Sequence, residues 1–416
     1  MLSKMMTTIE SILLVFSMLF TQIGILFHYP AVRAVEALHE KTDGYVFGIT
    51  EPFDTFDGNY DRLRALGTDW MRMEIPYPFA SSGQLLDSYL AFKQSCAEFA
   101  AHGIKVMAIT PVPRYFFAFG GFDPVAPENY QKTKDVAVFL CNDLRDVIGG
   151  LQVANELNLI ETFGYPLQTE EDCALFTGLQ LEALDEVKGD IIVGYNTSST
   201  GESFHKRMAP YYRYCDYVGT DMYYSGIAYD YVSRIRKIYR ITKLPVLLLE
   251  VGYKGAGAPK TDAERSAILQ SFGYDSEQAA RADIENFVAK LPANFQMHIR
   301  MGSEDPADWG DLVFETHRGH FYREISGKLY KRCAHTPEGQ AAYFRDLLPK
   351  LLRLECLAGI LVFRYKDAQS CWFCGFSDCP HETSFGLVDV NGNEKPAFSA
   401  VQEVIAAYEK KTATAG

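Results

Sequence analysis

"LQVANELN", Leu151 to Asn158, is the stretch on which the reading of this chain turns. A strand-like run, Leu151 to Ala154, ends on an amide and a carboxylate side by side, Asn155 and Glu156. "LPVLLLEVGY", Leu244 to Tyr253, repeats the pattern. Five apolar residues, Pro245 to Leu249, stop on Glu250. Apolar strands that deliver carboxylates at their ends call for a fold in which strand ends converge on one place.

Six further runs resemble these two: "GYVFGIT" from Gly44, "DWMRMEI" from Asp69, "IKVMAIT" from Ile104, "IIVGYN" from Ile191, "YVGTDMY" from Tyr217 and "GILVFRY" from Gly359. Amphipathic stretches lie between them. Ser88–Gly103 ends on a C-cap-like glycine, Thr169–Asp190 opens on a Thr and acids, and Thr336–Glu355 opens on Thr-Pro. Near-continuous apolar strands separated by helices argue for parallel strands covered on both faces. Eight such units close into an α/β (β/α)₈ TIM barrel. The rival, an open doubly wound sheet binding a nucleotide, would usually carry a glycine-rich phosphate turn. The sequence contains neither G-x-G-x-x-G nor G-x-x-x-x-G-K.

One connection breaks the rhythm. From Glu250 to Gly359 is 359 − 250 = 109 positions, against a few tens elsewhere. Residues 256–335 therefore read as an insertion after strand seven, on the C-terminal face where βα loops build active sites. The expected layout is an N-terminal segment 1–42 followed by a catalytic barrel 43–416.

In segment 1–42, "ILLVFSMLFTQIGILF", Ile12 to Phe27, is almost wholly apolar. It is short for a spanning helix, which needs about 20 residues, and fits a signal-peptide core, with Val32 and Ala34 as the small residues before a cleavage site. An extracellular or membrane-anchored location is the expectation; an uncleaved helix in a cytoplasmic protein is the alternative. The chain is 48% hydrophobic and 22% charged, with net charge 40 − 53 = −13. An acidic chain without a basic run excludes nucleic acid as a partner, because phosphate neutralisation needs clustered Lys and Arg.

The barrel answers the question posed by Glu156 and Glu250. Side chains at the C-terminal ends of barrel strands face the catalytic mouth. Two carboxyls facing across a cleft are what glycoside hydrolysis requires, one ionised and one protonated. The sequence here resembles clan A of the retaining glycoside hydrolases, over Gly44 to about Tyr408. "VANELN" matches the clan's Asn-Glu after strand four, and "PVLLLEVGY" its Glu at the end of strand seven. Arg72 in "WMRMEI" and Tyr223 in "DYVGTDMYY" stand where the clan places partners of the nucleophile. The tail "SFGLVDVNGNEKPAFSAV" resembles its closing segment. The wording "NEL" and "EVGY" leans toward β-mannanase-like members.

The resemblance implies Glu156 as general acid/base, Glu250 as nucleophile, Arg72 and Tyr223 as its supports, and Asn155 as partner of the sugar 2-hydroxyl. From the residues alone, Arg72 could equally be a structural ion pair, and Tyr224 competes with Tyr223, since one residue of register swaps the inward face. One departure stands out. The clan has a Trp at the end of strand eight, whereas here the strand reads "LVFRYKDAQ". That puts the usual sugar floor in doubt, and Arg364 or Lys366 could meet an anionic sugar unless they point to solvent.

Glu51 ends strand one and could bond a distal sugar hydroxyl. Tyr77, Tyr115, Trp309 and Trp372 follow strands two, three, seven and eight and could stack on sugar faces. The resulting expectation is a retaining glycosidase acting on a β-linked oligo- or polysaccharide, with no cofactor for catalysis. The alternative is a non-catalytic carbohydrate-binding barrel. A metal-dependent barrel hydrolase would want His and Asp on several strand ends, and no strand ends in H-x-H.

Nine cysteines remain. Cys96, Cys141, Cys173, Cys215 and Cys356 fall within helix- or strand-like segments and read as buried small hydrophobes. "CWFCGFSDCPH" spaces Cys371, Cys374, Cys379 and His381 in a way that could hold a structural zinc, as Cys₄ or Cys₃His, with Cys333 and His335 nearby in the insertion and Cys333 the favoured fourth ligand. Disulfides or reduced thiols are the other readings. His317 and His320 form an H-x-x-H without the adjacent acid of a zinc protease.

Overall fold

The computed structural model describes residues 30–223, 226–317, 319–322 and 329–414. Eight parallel strands, β1 (Val46–Thr50), β2 (Trp70–Glu74), β3 (Lys105–Ile109), β4 (Gly150–Val153), β5 (Ile192–Ser198), β6 (Tyr217–Met222), β7 (Val246–Val251) and β8 (Leu357–Phe363), close into a barrel in chain order. All eight expected strands are present. The last closes on the first, with Gly48 paired to Leu361. Helices follow each strand, among them Asp87–Ala101, Glu170–Asp185 capped by Thr169, and Pro337–Leu351 capped by Thr336.

Bulky side chains fill the barrel interior: Val46, Trp70, Met107, Tyr217, Leu249 and Leu361. Gly48 makes room for them. A Cβ there would lie 2.8 Å from Leu361 Cγ and 2.9 Å from the Trp70 carbonyl oxygen. The interior is a packed core, so chemistry is confined to the mouth.

The lower end of the barrel corrects one expected boundary. Residues 30–42 form a helix rather than a linker. Ala31, Val35, Leu38 and Thr42 follow one another at helical spacing and are all buried. Val35 and Leu38 pack against Val46, Trp70 and Tyr217, closing the barrel from below. His39 Nε2 lies 3.0 Å from the Ala358 carbonyl oxygen, and Lys41 pairs with Asp216 at 2.6 Å. The apolar run Ile12–Phe27 lies outside the described residues. Among those described, no helix is long and apolar enough to cross a membrane.

The insertion folds into short helices, including Asp262–Ser271, Ile284–Ala289 and Ala293–Gly302. It has an apolar core of its own, with Phe287, Leu291, Phe295, Ile299 and Phe314. That core also takes in Cys371, Cys374 and Cys379 from the loop after β8. The chain then returns to the barrel through helix Pro337–Leu351.

Candidate active site

Arg72 is the hub of the mouth. It points inward from β2 and is 1% exposed. Its guanidinium spends every face on a neighbour. Nη1 donates to Glu250 Oε1, Nη2 donates to Asn155 Oδ1 at 2.7 Å, and Nε donates to Gln152 Oε1 at 2.7 Å. Nη2 also lies 3.7 Å from Asp221 Oδ2. Burial works against its charge, but the carboxylates of Asp221 and Glu250 outweigh burial and hold it cationic.

Glu250 sits near the end of β7. Its second oxygen, Oε2, accepts from the Tyr223 hydroxyl. Tyr223 thus stands beside Glu250; Tyr224 lies outside the described residues. Burial and the nearby Glu250 charge push the Tyr223 phenol far up, so it stays a donor. An irregularity between Thr220 and Asp221 sets Asp221 opposite Glu250.

Glu156 faces this arrangement from the end of β4. The backbone there is unusual. Ala154 and Glu156 both have positive φ, 52° and 46°, although neither is glycine. Each such residue costs about 1–3 kcal/mol, and the surroundings hold it in place. The Ala154 N–H donates to Thr110 Oγ1 at 3.0 Å, and the Glu156 N–H donates to Asn196 Oδ1 at 2.9 Å. The result is a turn that presents Asn155 and Glu156 to the same cavity. Burial, reinforced by the Glu250 charge, raises the Glu156 carboxyl to about 8, against the pull of a Ser198 hydrogen bond and Arg72.

Asn155 Oδ1 is saturated by three donors, Arg72, Gln152 at 3.2 Å and Asn196 at 3.0 Å. Its Nδ2 is left as the group able to meet a ligand. Gln152, Asn196 and Asp221 complete the scaffold, and sequence reasoning missed all three. Asn196 Nδ2 donates to Asp221 Oδ2 at 2.6 Å, while Asp221 Oδ1 is buried without a hydrogen-bond partner among the described residues. Burial, reinforced by the Glu250 charge, raises the Asp221 carboxyl strongly against the pull of Arg72. The signal was available: buried polar side chains within largely apolar strands, in "LQV", "GYN" and "GTDM".

The end of β8 supplies a floor without tryptophan. Phe363 is half-buried. Its ring meets Tyr223 edge-on at 5.7 Å and Phe385 at 5.2 Å. Arg364 is not free to meet an anionic sugar. Its Nη2 and Nε bond both oxygens of Glu51, at 2.7 and 3.0 Å. That corrects the expectation for Glu51. It is 1% exposed and also takes the Thr55 hydroxyl and the Lys366 N–H, so it braces the β1–β8 seam and has no oxygen left for a sugar.

The aromatic candidates divide. Tyr77 is 4% exposed and packs against Phe116 at 5.3 Å, so it belongs to the core and is withdrawn as a sugar platform. Trp309 is tied inside the insertion, with Nε1 donating to the Ser303 carbonyl at 3.0 Å. Tyr115 stays half-exposed beyond β3 beneath the Arg114 guanidinium, 4.9 Å from its ring. Trp372 is 51% exposed on the loop after β8. Glu74, which ends β2 and is exposed there, lies within reach of the Arg72 and Glu250 charges and joins them as a candidate contact.

The cysteine loop also corrects an expectation. Sγ of Cys371, Cys374 and Cys379 gathers with a nitrogen of His317, all within 4.8 Å of one another. Cys333 is not among them. It packs beside the main core, and its carbonyl accepts from Tyr253.

No protein-family model and no curated protein matches the sequence. Solved structures do match in fold. The catalytic domain of a GH53 protein from Ignisphaera aggregans is 15% identical, with TM-score 0.52 over 87% of this chain and 95% of that one. A GH5_18 protein from Streptomyces cattleya, in complex with GlcNAc, is 12% identical, with TM-score 0.54 over 88% and 80%. An exo-β-1,4-mannosidase from Opitutaceae bacterium strain TAV5 is 13% identical, with TM-score 0.53 over 88% and 60%. These likenesses show a shared fold, the (β/α)₈ barrel.

Proposed function

We propose that the protein is a retaining glycoside hydrolase that cleaves β-glycosidic bonds of an oligo- or polysaccharide by double displacement. The observation that carries the reading is the opposite treatment of two neighbouring carboxyls. Glu250 is gripped by a guanidinium and a phenol, one on each oxygen. Glu156, buried beside it, keeps its proton up to about pH 8. A nucleophile and a proton donor are thereby separated by environment.

In the first step a Glu250 oxygen attacks the anomeric carbon. The bond to the leaving oxygen breaks, and Glu156 gives that oxygen its proton. In the second step the Glu156 carboxylate takes a proton from water, the water oxygen attacks the same carbon, and Glu250 leaves as a carboxylate. Both steps balance with two carboxyls and water, so the chemistry calls for no cofactor. Asn155 Nδ2 would donate to the sugar 2-hydroxyl, and Phe363 would floor the ring. Tyr115, Trp372 and Glu74 are offered as outer contacts. The apolar segment Ile12–Phe27 suits export or anchoring where such polymers are met.

The test is hydrolysis of a panel of aryl β-glycosides and β-linked polysaccharides by wild type, Glu250→Gln and Glu156→Gln, with the product anomer followed by NMR. Retention is expected, with activity lost in Glu250→Gln. In Glu156→Gln, activity should be partly restored by substrates with good leaving groups. Unchanged activity in both variants ends the reading. Binding without hydrolysis by wild type would make the chain a carbohydrate-binding barrel.

A further inference from the structure

The cluster of His317, Cys371, Cys374 and Cys379 lies outside the machinery above. Its four donors are all buried. His317 Nε2 is 3.5 Å from Cys379 Sγ and 3.9 Å from Cys371 Sγ. A tetrahedral zinc with bonds of about 2.3 Å to sulfur and about 2.0 Å to nitrogen has ligand-to-ligand edges of roughly 3.5–3.8 Å. The donors stand at nearly that spacing.

The turn that carries Cys371 and Cys374 is tight. The Gly375 N–H donates to the Cys371 carbonyl at 2.7 Å, the Cys371 N–H donates to the Phe376 carbonyl at 3.0 Å, and Gly375 has φ of +75°. The imidazole is set as firmly. Its ring stacks on Phe373 at 4.4 Å and meets Phe295 edge-on at 5.5 Å.

We propose that these four residues bind one zinc ion, and that the ion fastens the insertion to the loop after β8. Protein groups fill all four positions, so the site is structural and offers no place for a reacting water. His317 is the insertion's contribution, 54 positions before Cys371. The two segments are pressed together there: a Cβ on Gly319 would stand 2.3 Å from Cys379 Sγ. The same loop continues to Phe385, which packs on Phe363 and Tyr223. The ion would thus brace the wall beside Glu250 from a distance.

The test measures metal, not hydrolysis, so its outcome is independent of the proposed activity. The full chain is purified without added metal and analysed by plasma mass spectrometry. Then zinc release is followed with a chromogenic chelator as thiols are titrated with a mercurial. About one zinc per chain is expected, falling toward none in His317→Ala and Cys374→Ser and unchanged in Cys333→Ser. If either loss variant fails to fold, His317→Cys decides. It should keep zinc and, exchanged to cobalt, show the spectrum of tetrahedral thiolate. Absence of zinc from wild type even after exposure to the ion, iron in its place, retention in both loss variants, or a disulfide joining two of the three cysteines would each overturn the proposal.

Discussion

Glu156 should make the protein less stable as pH rises, and Glu156→Gln should remove that dependence. Its carboxyl lies at about 8 in the fold against 4.5 in the open chain. Below about pH 4.5 both states hold the proton, and the group does not affect stability. Between 4.5 and 8 the unfolded chain releases it and the fold does not, so stability falls with rising pH. Above 8 the whole penalty is present. One pKa unit is about 1.4 kcal/mol, so from pH 5 to pH 7.5 the loss approaches about 3 kcal/mol. That is an upper bound, because the Glu250 charge raising Glu156 is shared by the pair. With an unfolding entropy of about 2.1 cal/mol/K per residue, a chain this long converts it to roughly 3–4 °C. Gln has the shape of the protonated acid and cannot ionise. Differential scanning calorimetry of both proteins should give nearly equal Tm at pH 5 and a variant more stable by up to that amount at pH 7.5. A Tm difference that does not change with pH, or that favours wild type more at pH 7.5, would show that Glu156 is ionised in the fold and would remove the proton on which its acid role depends.

The same proton should appear in catalysis. On a hydrolysed substrate, kcat/KM should fall about tenfold per pH unit above roughly 8, and a profile flat to pH 9.5 would contradict the assignment. Tyr223→Phe removes a hydrogen bond to a charged group, worth about 1.5–3 kcal/mol, so kcat/KM should drop roughly 10- to 100-fold with Tm little changed. Glu51→Gln breaks a buried ion pair and should cost about 3–5 kcal/mol in denaturant unfolding while leaving KM alone; a raised KM at unchanged stability would return Glu51 to the substrate. Leu38→Ala opens the plug beneath the barrel and should cost about 2–5 kcal/mol without altering kcat, measured by urea titration beside a rate assay.

What could be read from the chain, and what could not, divides along a physical line. Strand placement is local. A parallel strand buried on both faces must be a short apolar run, so β1 to β8 were legible, and Glu156 and Glu250 with them as residues that end such runs. The helix at 30–42 obeys an equally local rule, with Ala31, Val35, Leu38 and Thr42 at helical spacing, but it follows a far more apolar stretch that drew the reading toward export. Pairing is not local. Glu51 ends its strand much as Glu250 does, yet one meets Arg364, 313 positions away, and the other meets Arg72 across the barrel mouth. Nothing in either strand distinguishes the carboxyl whose oxygens are both consumed at a seam from the one left facing the cavity. His317 displaced Cys333 for the same reason: which insertion residue reaches the cysteine loop depends on how the Phe287–Phe314 core folds back, not on spacing. The polar residues within apolar strands are the intermediate case. Gln152, Asn196 and Asp221 each sit where a both-face-buried strand should have no side-chain donor or acceptor, and burying one alone would cost several kcal/mol. Three such violations on adjacent strands, two of them flanking the Asn-Glu turn, are cheaper together than apart. That cooperativity makes a buried polar network legible as a site even where its individual bonds are not.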